Sequence, residues 1–203
     1  YLTGKELKLA AEVDASVSDF MTTARLYCSG LNFTFNPHRM ILNKVTDCYL
    51  TREDGERIEI QDDQLYRVVT DLYTGQMLGS VMEMSYGLLK IEPKDKDGNP
   101  IENLEDQAIM EGDKELKAWD AIARYMKSFD DTDGNGISNV PEYYETTHGR
   151  KVVDESRNVI DLVKNPNKFS VMIVGIVLVL ILIIILLVVL IRKLIKKRRR
   201  KKK

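Results

Sequence analysis

From Val171 to Ile191 the chain reads VMIVGIVLVLILIIILLVVLI, without one charged side chain. As a helix this run rises about 31 Å, the thickness of a bilayer's hydrocarbon core. A helix in the core of a small domain keeps one polar face, so a run apolar on every face predicts a membrane span. RKLIKKRRRKKK comes at once after it, with ten Lys or Arg and no acid. Basic flanks stay cytoplasmic, which predicts a cytoplasmic tail at 192–203 touching anionic lipid and an outward-facing stretch before residue 169.

That topology changes the meaning of the charge. Of 30 Lys and Arg, the ten in the tail leave 20 for the outer part against 31 Asp and Glu. An acidic surface repels phosphodiester chains, so a nucleic-acid polymer is excluded as partner, while divalent cations suit it. At the other end, Tyr1-Leu2-Thr3 reads as the tail of a strand, Gly4 as a turn, and Lys5 to Val13 as a helix with Leu7, Ala10 and Ala11 on one face. A strand tail needs a strand and an outward-facing domain needs an export signal, so the expectation is a longer polypeptide with further chain upstream.

Between residues 24 and 91 the pattern is β. ARLYCSGLNFTF, MILNKVTDCYL, ERIEI and LYRVVTDLY are separated by turn residues at Asn36-Pro37-His38-Arg39 and Asp54-Gly55. Thr74 to Met84 reads as a short helix, LLKIEP as a further strand and DKDGNP as a turn. Asp113 to Phe129 reads as a helix with Leu116, Trp119, Ile122, Ala123 and Met126 on one face. Residues 130–168 are polar and loop-rich, a membrane-proximal spacer. The fold class is α+β, with a mixed or antiparallel sheet and helices over 1–110, a helical and acidic-loop extension at 111–168, a membrane helix at 169–191 and the tail. A hairpin centred on Pro37 to Arg39 places Cys28 opposite Cys48; a disulfide and two separate buried thiols both fit.

Catalytic motifs are missing from this stretch. Its two histidines, His38 and His148, lie far apart, whereas a dinuclear hydrolytic centre draws on several His and Asp side chains. No nucleophile elbow, phosphate loop or dinucleotide fingerprint occurs.

YLTGKELK leading into a helix, SGLNFTFNP as a strand into a hairpin, and LYRVVTDLYTG as a strand into a loop succeed one another in order. Together they resemble the C-terminal domain of the metal-dependent 5'-nucleotidases, over residues 1 to 90. The resemblance implies a nucleoside-binding domain and, upstream, a metallophosphatase domain holding two divalent metal ions for phosphoric ester hydrolysis. It places Tyr66, Arg67, Thr70, Leu72 and Tyr73 in the frame Y-R-x-x-T-x-N-F, making Tyr73 the candidate to stack on the nucleobase; a core aromatic closing the strand is the alternative reading of the same residue. TGQMLG keeps Gly75 and Gly79 of the family's Gly-Gly-Asp-Gly loop but has no acid between them, which puts the contact made by that acid in doubt.

DTDGNGISNVPE has the spacing of a calcium loop. Asp131, Asp133, Asn135, Gly136 and Glu142 occupy positions 1, 3, 5, 6 and 12, where oxygens wrap the ion and Gly permits the bend. Ile137 stands one place before the usual apolar anchor and Pro141 is eleventh, so a paired EF-hand is not expected. A structural calcium and a plain Asp/Gly turn both stand. Two function classes remain. One is the substrate-binding and anchoring part of a cell-surface nucleotide phosphohydrolase, with cyclic phosphodiesters as further candidate substrates. The other is a non-catalytic surface binding or adhesion module.

Overall fold

The computed structural model describes residues 1–18, 20–22, 25–85 and 87–200. The fold is α+β, with helices packed on short mixed sheets. Strand β1, Leu2–Thr3, runs directly into helix α1, Gly4–Val17. Thr3 and Glu6 close a capping box: the Thr3 hydroxyl accepts from the Glu6 amide, and the Glu6 carboxylate accepts from the Thr3 amide at 2.8 Å. Gly4, expected as a turn, is the first helical residue. Its amide and that of Lys5 donate to the Gln64 and Asp62 carbonyls, both at 3.0 Å, so α1 is capped by the 60–64 loop as well. The approach is close enough to demand glycine. A Cβ at Gly4 would fall on the Gln61 carbonyl and within 2.6 Å of Ile60 Cγ2.

Strands β2 (Leu31–Phe35), β3 (Val45–Thr51) and β4 (Arg57–Glu59) form an antiparallel meander, and β5 (Leu65–Tyr66) pairs with β1. Helix α1 packs on this meander through Ala11 and Ala15 against Phe33, and on Leu2 and Ile91 through Leu7 and Ala10. After β5 the chain forms helix α2 (Leu72–Met84), a hairpin of β6 (Met110–Glu111) and β7 (Lys114–Glu115), and helix α3 (Ala118–Lys127).

Several sequence expectations change. Residues 25–28 are not strand and Ala24 lies outside the described residues; LLKIEP is not strand either, although Ile91 is buried. LYRVVTDLY keeps only two strand residues. The helix expected from Asp113 starts at Ala118, because Gly112 takes a left-handed φ of 61° and turns the chain into the hairpin. A register irregularity between Thr34 and Phe35 and a long 36–44 loop set Cys48 opposite Phe33, not Cys28. Both cysteines are free thiols; burial raises Cys28 and pushes Cys48 up to about 12.

The largest departure is in the stretch read as a spacer. Strand β8, Lys151–Val153, pairs in parallel with β2, giving the sheet order β4-β3-β2-β8. Downstream of it come helix α4 (Val159–Val163) and helix α5 (Lys168–Arg200), and the 36–44 loop binds this C-terminal stretch at several points. Asn36 Nδ2 donates to the Ser156 carbonyl at 2.8 Å. Arg39, 6 % exposed, donates through Nε to Asn43 and through Nη1 and Nη2 to the Asp161 and Lys164 carbonyls, each at 2.7 Å. Asn167 Nδ2 donates to the Leu42 carbonyl. From the other side, Glu12 on α1 accepts the Lys44 and Val45 amides at 2.9 and 3.1 Å.

Two outcomes are expected from this arrangement. Arg39→Ala leaves three carbonyls without their donor, each worth about 1–3 kcal/mol when buried, so a loss of about 3 kcal/mol in chemical unfolding should accompany faster tryptic cleavage at Arg150 to Lys164. Burial raises Glu12 from 4.5 to about 7 despite its two amide donors. Between those values the folded chain keeps a proton that the unfolded chain releases, so stability falls as pH rises through that window. The fall should be about 3 kcal/mol, and Glu12→Gln should flatten it in denaturation curves taken at either end.

Candidate functional site

Tyr73 sits in the first turn of α2. Asp71 caps this helix, its carboxylate accepting the Thr74 amide at 2.9 Å and the Thr74 hydroxyl at 2.7 Å, and these donors hold its pKa below the ordinary carboxylate value. The D-x-x-T spacing that ends the expected strand is therefore a helix start. Tyr73 projects from it 61 % exposed. Gly75 is two residues on, and a Cβ there would come within 3.3 Å of Leu104 Cδ1 in the 3-10 turn Leu104–Gln107. Gly79 lies four residues later in the same helix. At about 100° per residue, Gly75 stands about 160° and Gly79 about 120° around the helix from Tyr73, so the three share a helix and are not brought together into one loop.

The carboxylates of 131–142 are partly assembled. Asp131 accepts the Gly134 and Gly136 amides at 2.8 Å, which holds its pKa below the usual value. Asp133 Oδ2 accepts from Asn135 Nδ2 at 2.9 Å. Gly134 and Gly136 carry the positive φ angles, 71° and 85°, that the bend requires. Glu142 begins a separate 3-10 helix, Glu142–Glu145. Among the described residues no group of three or more His, Cys, Asp or Glu is arranged to hold a metal ion. The described residues therefore do not fit the two divalent metals of a hydrolytic centre.

The histidines are used elsewhere. His38 Nε2 lies 3.4 Å from the donor Arg157 Nε. His148 stacks on Tyr143, ring centroids 4.0 Å apart, in a cluster with Tyr125, Phe129 and Tyr144. This cluster ties α3 to the second 3-10 helix and was missed in the sequence; the i, i+4 spacing of Tyr125 and Phe129 was its one local sign.

Residues 1–85 match the family model described as 5'-nucleotidase, C-terminal domain. This stretch is a 5'-nucleotidase C-terminal domain. The matched stretch includes the capped start of α2 with Tyr73, Gly75 and Gly79, and it ends long before β8, which adds a strand beside β2. No curated protein and no solved structure matches the chain. Farther on, α5 is the described helix that is long and apolar enough to cross a membrane.

Proposed function

We propose that this chain is the substrate-binding and membrane-anchoring part of an extracellular nucleotide phosphohydrolase. The family match over 1–85 carries this reading, because it includes the segment where an exposed aromatic stands ready for a nucleobase. In this proposal two divalent metals held by chain upstream would supply the hydrolytic chemistry, and the nucleotidase domain supplies Tyr73 as a stacking surface. Helix α5 anchors the chain in the cell membrane with the domain outside and the basic tail inside, where it meets anionic lipid.

Exposure of Tyr73 supports a binding role over a core role. A base-stacking contact remote from phosphorus acts on ground state and transition state alike. In the full-length nucleotidase, Tyr73→Ala should raise KM for nucleotides and leave kcat nearly unchanged. Losing about 1–3 kcal/mol of stacking means about 5- to 150-fold in kcat/KM. A small phosphate ester without a base should be hydrolysed as before; equal loss on both substrates would remove Tyr73 from the site. Hydrolysis of neither, with any divalent metal, would leave the surface binding or adhesion module.

A structural calcium at 131–142 belongs to the same proposal, supported by Asp131 and Asp133 on one glycine-bent turn. It requires Glu142 to leave its 3-10 helix and close the loop. Millimolar calcium should then slow proteolysis at 130–145 by stabilising the closed form, and Asp133→Ala should remove that protection. Equal cleavage with calcium and with chelator identifies a plain turn.

A further inference from the structure

A cavity of about 800 Å³ lies between α1, β3 and the 87–94 segment, and its remaining wall is the start of α5. Asn167, Lys168 and Phe169 line that wall. No spacer separates the cavity from the apolar run. The Asn167 side-chain oxygen accepts the Phe169 and Ser170 amides, both at 3.1 Å, and its amide group donates to Leu42 in the domain. Phe169 and Ser170 are themselves packed in, 4 % and 5 % exposed, and the uncharged run begins at Val171. A helix advances about 1.5 Å per residue, so residues 168–170 lie within about 5 Å of the hydrocarbon boundary. Headgroups occupy about 5–7 Å on each side of that core, so the cavity sits at the depth of lipid phosphates.

The uncompensated charge of the cavity is positive. Each carboxylate lining it is already engaged: Glu6 with Lys94 at 2.6 Å, and Glu92 with Lys90 at 3.0 Å. Asp47 is held by the Arg57 fork at 2.8 and 2.9 Å, and Glu12 by its two backbone amides. Lys5 and Lys168 also line the cavity, and among the described residues neither has a carboxylate within ion-pair distance. Lys168 Nζ lies 4.7 Å from the Phe169 ring centroid, at the mouth of α5.

We propose that this cavity takes the phosphate-bearing headgroup of an anionic phospholipid from the leaflet on the domain's side, with Lys5 and Lys168 as its phosphate partners. The inference depends on the membrane-anchored reading. Under that reading the basic tail lies in the opposite leaflet, so its own lipid contacts leave the cavity untouched.

Amide hydrogen exchange of the full-length protein tests the proposal in nanodiscs of phosphatidylcholine alone and with phosphatidylglycerol added. Phosphatidylglycerol should slow exchange several-fold in the peptides spanning 43–48 and 87–94. Lys5→Glu with Lys168→Glu should abolish the slowing while α1 keeps its protection, which shows the fold intact; Lys168→Arg should retain it. Identical exchange in both discs overturns the site, and so does equal slowing by inorganic phosphate in phosphatidylcholine discs, which assigns the cavity to a free anion. A protein that washes out of the discs at high pH overturns the anchoring itself, whereas a retained protein with unchanged exchange overturns the headgroup site alone.

Discussion

Arg39 is a cation removed from water, and among the described residues no carboxylate lies within ion-pair distance of it. Such a group is costly unless every donor finds an acceptor, and here three nitrogens point at three backbone carbonyls. One carbonyl closes its own loop; the other two belong to α4 and the residue after it. The orientation favours them, since Asp161 and Lys164 expose carbonyls at a helix C-terminus, where the peptide dipoles place partial negative charge. The 36–44 loop is thus the joint of the molecule. Glu12 reaches it from α1, Asn36 and Arg39 reach out of it, and Asn167 reaches into it from the entrance of α5.

The parts of this fold that were legible in the sequence are those written in local spacing. Leu31, Phe33 and Phe35 alternate and form β2; Leu7, Ala10 and Ala11 share the buried side of α1. Thr3-x-x-Glu6 is a capping box that fixes where α1 begins, and treating Gly4 as a turn overlooked it. Register was not legible, because it depends on the irregularity at Thr34/Phe35 and on hydrogen bonds inside the 36–44 loop, neither of which has a residue signature. Strand β8 was invisible for a stronger reason. Three residues, Lys-Val-Val, carry no periodicity, and their partner lies over a hundred positions away.

The candidate site shows the same division. Asp71 and Thr74 are a readable helix start, yet the β-rich run before them suggested a strand as far as Tyr73. The resemblance to the 5'-nucleotidase loop puts Gly75 and Gly79 in a turn after Tyr73, whereas all three lie on α2, with both glycines more than about 100° around the helix from the tyrosine. Glu142 has the right number in the sequence for a calcium loop but starts a helix of its own, and aromatic packing of Tyr143 and Tyr144 holds that helix in place.

The fastening of residues 150–167 to β2 and the 36–44 loop also has a mechanical side. A pull entering through α5 meets Asn167 first, then the two Arg39 bonds, then Asn36, and only at the end the β8 pairing with its flanking Phe33–Arg150 and Phe35–Asp154 bonds. These fastenings lie in series along the chain, so a tug is absorbed one bond at a time. The sheet that carries α1 feels the load last, so a force on α5 is spent on these outer bonds before the core opens.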